Sequence, residues 1–421
     1  MRVPCRFLFI AATFALSVLL YIDRICISAA KEDIARDLHL SNEQMGFVLS
    51  TFALGYALFQ TPSGWLADRF GPRGVLTGIV VFWSFFTGLT AAAGNLVVLL
   101  LTRFLFGAGE AGAFPGIARA TYSWIPLKER GILQGINFSG SRVGGALALV
   151  VMPGLIQTCG WRGSFVLLMV IGFAWAAVWL WWFRDDPMQH RGISPEELNY
   201  ILAHRQPEIR SSENPLSAKV LLSPGEMRQL GWISLQYFCS NFTFFFCLTW
   251  LFPHLKEKYQ LSGVEAGWYS AVPLICAAFA NWTSGWMVDR IYQSGRWTLS
   301  RRIPAIIGFV LAAVGLVVSA TAQTPLASIV WFSLAVFGAD MTISPSWACC
   351  IDLGGKKSGV ISGTMNMAGN LGSFLTSLAF PYLLKWTGSN LPYFYIGAGL
   401  NVLAVLLWLK IDPRPKLEAS P

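Results

Sequence analysis

The sequence predicts an all-α membrane protein in which twelve transmembrane helices form two pseudo-symmetric six-helix bundles. Of its 421 residues, 54% are hydrophobic and only 13% are charged, whereas an ordinary soluble domain has about 25% charged residues. A transmembrane helix needs about 20 mostly apolar residues, and twelve such segments follow one another along the chain. Sequence features of the first six segments recur in the last six. These observations exclude a water-soluble fold.

The first six apolar segments are read from the positions at which polar residues interrupt them. They span residues 7–30, 45–67, 75–93, 96–124, 132–158 and 164–183. The beginning of the first segment follows Arg2 and Arg6 and has the composition of a signal peptide. We interpret it as a retained first span, because the charge pattern of the loops requires it.

The second six segments follow a polar interval. They span residues 230–255, 266–288, 303–321, 326–350, 360–384 and 393–411. We therefore predict an N-terminal six-helix bundle over 1–184, a cytoplasmic linker over 185–229 and a C-terminal six-helix bundle over 230–421. Within the linker, Ser194, Pro195 and Glu197 allow a short surface helix, although a solvated tether is the favoured interpretation.

The net charge of +9 is explained by membrane orientation, because cytoplasmic loops retain Lys and Arg. With both termini in the cytoplasm, the cytoplasmic segments contain 21 of the 31 Lys and Arg residues and the outer loops contain six. The sequence therefore predicts a multi-pass protein of the cell (inner) membrane. A nucleic-acid partner is not expected.

Cysteine and histidine spacing indicates neither a disulfide framework nor a metal site. The eight cysteines lie singly or as the pair Cys349 and Cys350, and the four histidines do not cluster in the sequence. No CxxC pattern is present, which a zinc site of the common type would need. We expect no metal and no cofactor.

Two short patterns repeat between the halves, as expected of a duplicated transporter unit. The segment 64–73 (GWLADRFGPR) ends the second span, and 285–290 (GWMVDR) ends the eighth, 221 positions later. Gly131 and Gly135 in the fifth span recur as Gly359 and Gly363, 228 positions later. Glycines four residues apart let helix backbones approach closely.

The GxLxDRxGxR pattern of 64–73 resembles the major facilitator superfamily. In that family the motif lies at the cytoplasmic end of the second helix and has a conformational role, so the resemblance implies that Asp68, Arg69 and Arg73 are gating residues. A helix stop combined with the positive-inside rule would explain the two arginines but not Asp68.

Charged residues inside the apolar segments identify a candidate binding site, since each costs about 3 kcal/mol at mid-membrane and usually faces a cavity or a partner. Asp23 and Arg24 lie in the first span, Arg103 and Glu110 in the fourth, and Arg142 in the fifth. With both acids ionised this set has a charge of +1, and with both protonated it has +3. Such a site attracts an anion more strongly when protonated, although static ion pairs are the alternative interpretation.

The second half contributes fewer intramembrane polar residues. Asn366 and Asn370 are spaced to share one helix face, and Asp340 lies in the tenth span. We make no functional assignment for Asp340 or for Arg119 of the fourth span.

The segment YIDR at 21–24, together with RFLFGAGEAGAFP at 103–115, resembles the anion:cation symporter family. This family includes bacterial sugar-acid and phthalate carriers and the vesicular glutamate and sialic-acid transporters. The resemblance implies that Arg24 binds the substrate carboxylate and that Asp23 and Glu110 are the proton-coupling acids. It also implies that Tyr21, Tyr56 and Arg103 line the cavity. Polar contacts from the second half are assigned to Ser346, Asn366 and Asn370.

Arg142 departs from the sugar-acid carriers, which have a neutral polar residue near this position. A second guanidinium could hold a second carboxylate through paired hydrogen bonds. This difference favours a dicarboxylate.

Together these observations predict a proton-coupled symporter that takes up a small organic anion by alternating access and functions as a monomer. The favoured substrate is a sugar acid or a related mono- or dicarboxylate. A proton/drug antiporter of the same fold is the alternative, but three arginines would repel a cationic drug. A membrane aspartyl protease using Asp23 and Asp340 would need a GxGD pattern, which Asp340 lacks. The sequence therefore indicates a transporter and not an enzyme; the identity of the anion and the choice between proton and sodium stay open.

Overall fold

The computed structural model describes residues 3–206 and 223–414. Within this part of the chain, sixteen α-helices and no β-strand are present. The first eight helices are α1 (Cys5–Ala29), α2 (Lys31–Asp37), α3 (Asn42–Phe70), α4 (Pro72–Ala91), α5 (Leu96–Glu110), α6 (Ala113–Trp124), α7 (Arg130–Trp182) and α8 (Pro195–His204). The other eight are α9 (Pro224–Thr249), α10 (Leu251–Tyr259), α11 (Gly263–Gln293), α12 (Trp297–Thr321), α13 (Pro325–Met341), α14 (Ile343–Gly354), α15 (Ser358–Thr387) and α16 (Leu391–Lys410). Part of the predicted linker (207–222) and the outermost residues of both predicted cytoplasmic ends (1–2 and 415–421) lie outside the described residues.

Several predicted spans are broken helices. The fourth span is divided into α5 and α6, the tenth into α13 and α14, and the seventh into α9 and α10, which bend by 59° at Trp250. α7 covers the fifth and sixth predicted spans and breaks at Gly160, whose φ of 67° lies in the left-handed region. Glycine adopts this conformation without the steric cost of a side chain.

Hydropathy supports membrane insertion of most of these helices. Eight helical segments of the described chain, or nine with the bent pair of α9 and α10, are long and apolar enough to cross a membrane. One of them, Pro325–Thr387, is 63 residues long and contains both the tenth and the eleventh predicted span. α3 and the first part of α7 are not among these segments.

Serine capping boxes begin three of the long helices. Ser41, Ser223 and Ser262 each accept a hydrogen bond from the backbone N–H three residues later, and the Gln or Glu at that position bonds back to the serine N–H. This reciprocal pairing satisfies two donors that a helix start otherwise leaves free.

The described residues divide into two compact units. Unit 1 contains residues 3–126, 140–206 and 354–363, and unit 2 contains residues 127–139, 223–353 and 364–414. The first residues of α15 thus belong to unit 1, whereas the rest of that helix after residue 363 belongs to unit 2. The first residues of α7 belong to unit 2, and the rest of that helix after residue 139 belongs to unit 1.

Each unit has its own apolar core. In unit 1 a buried cluster around Cys26, Ile27 and Phe165 connects α1 with α7. In unit 2 the ring of Phe246, which is fully buried, contacts the rings of Tyr393 at 4.9 Å and Phe380 at 5.0 Å between centroids. Aromatic packing of this kind adds to the stabilisation from burial.

Residues 187–206 dock onto the start of α1 within unit 1, which differs from the solvated tether favoured above. Glu197 of α8 accepts hydrogen bonds from the backbone N–H groups of Cys5 at 2.8 Å and Arg6 at 2.9 Å. The guanidinium of Arg6 lies over the ring of Tyr200, and Ile201 is fully buried. A carboxylate at this position satisfies helix donors and complements the helix dipole. The local sequence contains no signal for a contact 192 residues apart.

Candidate functional site

An ion pair between α1 and α5 forms the centre of the charged cluster in unit 1. Nε of Arg24 donates to Oε2 of Glu110 at 2.6 Å; the Glu110 side chain is fully buried and the Arg24 side chain is 17% exposed. The two residues predicted to bind substrate and to carry the proton therefore neutralise each other. A buried pair of this kind becomes unfavourable when one partner loses its charge.

Three aromatic rings surround the guanidinium of Arg24. Its Cζ atom lies 4.3 Å from the ring centroid of Tyr56, 5.0 Å from that of Tyr21 and 5.4 Å from that of Phe52. Cation–π contacts of this type hold a guanidinium in place without neutralising it. Tyr21 and Tyr56 were predicted from the sequence; Phe52 was not.

Arg103 lies on α5 seven residues before Glu110 and is 1% exposed. Its guanidinium carbon lies 4.2 Å from the ring centroid of Phe106 and 5.4 Å from that of Phe52. Phe52 thus contacts both cations. Arg103 and Glu110 lie seven residues apart on α5, which is almost two helical turns, so they share one helix face, and both side chains are buried.

Glycines explain how α3 approaches α5 so closely. A Cβ atom at Gly107 would collide with the carbonyl oxygen of Phe52, and one at Gly55 would collide with that of Phe104. The small residues of the 103–115 segment therefore bring the Phe52 backbone against α5. This contact positions the Phe52 ring between the two arginines.

Asp23 is fully buried and is held by a residue of α4. The indole Nε1 of Trp83 donates to its Oδ2 at 3.1 Å. Asp23 also interacts electrostatically with Glu110 and Arg103. The structure therefore brings together both predicted proton-coupling acids and two of the predicted arginines, and it adds Trp83, which the sequence did not indicate.

Several buried polar atoms of this cluster have no hydrogen-bond partner within the described chain. They are Oδ1 of Asp23, Oε1 of Glu110, Nη2 of Arg24, and Nε and Nη1 of Arg103. Buried polar atoms are nearly always paired, and exceptions call for an explanation such as a ligand or water. The arginine nitrogens in this group could donate hydrogen bonds to an anion, and the carboxylate oxygens could accept protons.

Arg142 lies half-buried on α7 beside α1. A Cβ atom at Gly144 would collide with the Val18 carbonyl, and one at Gly145 would lie 3.9 Å from the Tyr21 ring. Arg142 is also 228 positions before Asn370, the spacing of the repeated glycine pairs. Two residues that were predicted separately as substrate contacts thus occupy equivalent positions in the two repeats.

The three predicted contacts of the second half lie in unit 2 and differ in exposure. Ser346 is fully buried; its hydroxyl donates to the Thr342 carbonyl at 2.6 Å and accepts from Nε2 of Gln236 at 3.1 Å. Asn366 is 8% exposed, and its carbonyl accepts from Nδ2 of the half-buried Asn370 at 2.8 Å. A substrate contact from these residues stays a prediction.

The predicted gating residue Asp68 caps a helix. Its two carboxylate oxygens accept from the backbone N–H groups of Gly359 at 2.8 Å and Val360 at 2.7 Å, which lie in the first turn of α15. Nε of Arg119 lies 3.9 Å from the same carboxylate. A Cβ atom at Gly64 would collide with the Gly359 carbonyl, so the two helices touch through glycine.

The two predicted gating arginines have different surroundings. The Arg73 guanidinium donates to the Leu180 carbonyl from Nε at 3.0 Å and from Nη2 at 2.6 Å, and its backbone N–H donates to Asp185 at 2.7 Å. Burial raises the pKa of Asp185, and this hydrogen bond partly offsets the rise. The Arg69 guanidinium lies over the rings of Trp65 and Phe70.

Unit 2 contains the repeated version of the Asp68 cap. Asp289 accepts from the backbone N–H groups of Gly131 at 2.8 Å and Ile132 at 2.7 Å in the first turn of α7. Gly285 packs against the Gly131 carbonyl. In unit 1 the 64–73 segment therefore contacts the glycine pair of α15, and in unit 2 its repeat, 285–290, contacts the glycine pair of α7.

A fully buried charge cluster in unit 2 was not predicted. Asp352 accepts from Nη1 of Arg130 at 2.6 Å, from Nε of Arg301 at 2.9 Å and from the indole of Trp297 at 3.0 Å. Both arginines and Asp352 have no exposed side-chain surface. Elsewhere in unit 2, Asp340 accepts from Nδ2 of Asn281 at 2.9 Å.

A helical membrane fold built from two repeats, with paired charges buried inside it, defines a secondary transporter of the major facilitator type. The model of the Major Facilitator Superfamily matches residues 13–377, and the chain belongs to this family. Its members are transporters and not enzymes.

Similar proteins support the same assignment. The probable sulfoacetate transporter SauU of Cupriavidus necator is 31% identical over 98% of this chain and 95% of its own length. The probable galactarate/D-glucarate transporter GarP of Escherichia coli K12 is 30% identical, with coverage of 99% and 97%. The solved structure of the proton:xylose symporter XylE has a TM-score of 0.74 at 18% identity, covering 97% of each chain. The predicted twelve-helix fold and the resemblance to the anion:cation symporter family are confirmed.

Proposed function

We propose that this protein takes up a small organic anion together with protons, by alternating access. The observation that supports this most directly is the Arg24 and Glu110 pair, buried in an aromatic setting next to Asp23. In this arrangement the cation that would bind an anion is occupied by an acid that can be neutralised by a proton. Relatives named as carriers of sulfoacetate and galactarate support an anionic substrate.

The proposed cycle begins with protonation of Glu110 and Asp23 from outside the cell. Neutral Glu110 releases Arg24, whose guanidinium then binds the substrate carboxylate through charge-assisted hydrogen bonds. The unpaired nitrogens of Arg103 add positive potential at the same location. Deprotonation on the cytoplasmic side restores the pair of Arg24 and Glu110, which displaces the anion.

The substrate class that best fits these residues is a small dianion. Arg24, Arg103 and Arg142 carry three positive charges, and protonation of Asp23 and Glu110 would raise the net charge of these five residues from +1 to +3. An anion with two acidic groups would use Arg142 as a second attachment point. Sugar diacids and sulfonated short-chain acids both meet this requirement.

The remaining assignments also belong to this proposal. We propose a monomer in the cell (inner) membrane with both termini in the cytoplasm, with protons as the coupling ion and no other cofactor. Asp68, Arg69 and Arg73 are proposed to control the conformational change, and Ser346, Asn366 and Asn370 to contribute polar contacts.

Uptake into proteoliposomes with an acidic exterior tests the coupling. Wild-type protein should concentrate the anion, whereas Glu110→Gln should exchange anion across the membrane but not concentrate it. Glu32→Gln, the same chemical change at an exposed position, serves as the control and should behave like the wild type. Accumulation by Glu110→Gln driven by the proton gradient would refute the assignment.

Substrate recognition is tested by a thermal-shift screen of organic acids on purified protein. Arg24→Ala should weaken binding of the best ligand at least ~30-fold, because a buried charged partner contributes about 2 kcal/mol or more. An unchanged thermal shift in Arg24→Ala would remove Arg24 from the binding site.

A further inference from the structure

The contact between Trp83 and Asp23 is a hydrogen bond whose two partners are both fully buried. Nε1 of Trp83 lies 3.1 Å from Oδ2 of Asp23, and neither residue has exposed surface. The second oxygen, Oδ1, has no hydrogen-bond partner among the described residues. The two oxygens of the carboxyl group are therefore not equivalent.

Packing of α4 on α5 holds Trp83 in this position. A Cβ atom at Gly109 would lie 3.2 Å from the backbone nitrogen of Trp83 and would collide with the ring of Phe82. The glycine that precedes Glu110 thus lets the α4 backbone rest directly on α5. The backbone of Trp83 thus packs on α5, which carries Glu110, and its indole donates to Asp23 on α1.

Other groups near Asp23 act through charge. Glu110 and Arg103 of α5 and the Cys26 thiol of α1 are the titratable or charged groups of the described chain that interact electrostatically with it. A tryptophan N–H differs from these because it can only donate and never titrates. It can bond to either protonation state of the acid, but it bonds more strongly to the carboxylate.

We propose that Trp83 is the positioning residue of the proton-coupling acid, fixing Oδ2 of Asp23 by its indole N–H so that Oδ1 is the oxygen that gains and loses the proton. This inference rests on the proposed function. It extends the site to α4, on which no coupling residue was predicted. The indole also favours the carboxylate, which lets Asp23 release its proton on the cytoplasmic side.

The pH dependence of uptake into proteoliposomes tests this role. Trp83→Phe keeps an aromatic ring and removes the N–H donor, so the pH of half-maximal uptake should rise by about one unit, as expected when the charged form loses a hydrogen bond. The KM for the anion at saturating proton concentration should stay within about twofold, because the ring does not bind the anion in this scheme.

Trp175→Phe is the matched control. Trp175 also donates its indole N–H to α1, at 3.1 Å, but the acceptor is the Ala12 carbonyl, so its removal should leave the pH midpoint unchanged. In an Asp23→Asn background, Trp83→Phe should cause no further shift. Equal midpoints for wild type, Trp83→Phe and Trp175→Phe would overturn the inference, whereas wild-type uptake without any proton dependence would overturn the proposed function instead.

Infrared difference spectroscopy gives a second measurement that leaves Trp83 in place. Across the titration of wild-type protein, the band of the protonated carboxyl group that disappears in Asp23→Asn should lie at the lower frequency of a hydrogen-bonded C=O. A band at the frequency of a free C=O would overturn the inference, even if Trp83→Phe fails to fold.

Discussion

Asp68 in unit 1 and Asp289 in unit 2 make the same backbone contact in different electrostatic surroundings. Each carboxylate accepts two N–H groups from the first turn of a long helix, at 2.7 and 2.8 Å. Asp68 has Arg119 at 3.9 Å, with 14% of the Arg119 side chain exposed. Asp289 interacts with Arg301, which is fully buried with Asp352 and Arg130.

This comparison shows which features the two copies of the repeated unit share and which differ. The glycine contacts that accompany the caps, Gly64 with Gly359 and Gly285 with Gly131, preserve the backbone geometry. The surrounding charges differ. We infer that the Asp289 region contributes more to stability, whereas the Asp68 region is easier to open. Five substitutions test this difference, from the largest expected effect to the smallest.

Asp352→Asn should have the largest effect. It removes the buried carboxylate to which both Arg130 and Arg301 donate, and breaking a buried ion pair costs about 3–5 kcal/mol. The free energy of unfolding, measured by denaturant titration in detergent micelles, should fall by this amount. Asp412→Asn removes a half-buried carboxylate, 37% exposed and paired with the exposed Arg414, and is the control, with an expected loss below ~1 kcal/mol. Equal losses of unfolding free energy in both variants would show that the buried cluster contributes no more to stability than the pair of Asp412 and Arg414.

Asp289→Ala should rank second. It leaves the N–H groups of Gly131 and Ile132 without their acceptor and removes one negative charge near Arg301. Together these changes should cost about 3 kcal/mol. The same micelle titration measures the loss, and Asp289→Asn, which retains one acceptor oxygen, should recover part of it. A loss smaller than that of Asp68→Ala would reverse the comparison.

Asp68→Ala should cost about 2 kcal/mol, since it loses the equivalent two backbone hydrogen bonds, whereas the nearby cations Arg119 and Lys357 are partly exposed. Its main consequence should appear in transport, as a lower rate of anion uptake at unchanged ligand affinity. Uptake and thermal-shift measurements on the same preparation separate the two. Wild-type uptake by Asp68→Ala would contradict a gating role.

The two arginines after Asp68 should show the smallest effects. Arg73→Ala loses the paired donors to the Leu180 carbonyl and should cost about 1 kcal/mol. Arg69→Ala loses only contacts with two rings and should cost about 0.5 kcal/mol. Unfolding titrations of both variants rank them, and a larger loss for Arg69→Ala would show that the ring contacts outweigh the carbonyl contacts.

Sequence reasoning predicted the features that carry a strong local signal. Twelve apolar segments predicted the fold, and the cost of charge in a membrane identified Asp23, Arg24, Arg103 and Glu110. The repeat of 64–73 at 285–290 predicted the duplication and contains Asp289, although the two caps themselves were not predicted. In each case the signal is a composition or a residue spacing that is compatible with only a few structures.

The residues that sequence reasoning missed lack such a signal. Arg130 and Arg301 were counted among the cytoplasmic Lys and Arg residues, because the positive-inside rule does not distinguish a solvated arginine from a buried one. Asp352 follows the predicted span 326–350 and received no assignment. Trp83 and Phe52 are two among 59 aromatic residues, most of which pack in a core or face lipid. Only the three-dimensional contacts of α3 and α4 with α5 single them out.

The docking of Glu197 on the start of α1 has a practical consequence for engineering this transporter. A fluorescent reporter or protease site inserted between Pro187 and His204 should disturb the contact of the glutamate with the helix that it caps, and that helix carries Asp23 and Arg24. An insertion after Gln206 leaves this contact intact. Split versions of the protein should therefore keep residues up to Gln206 on the first fragment.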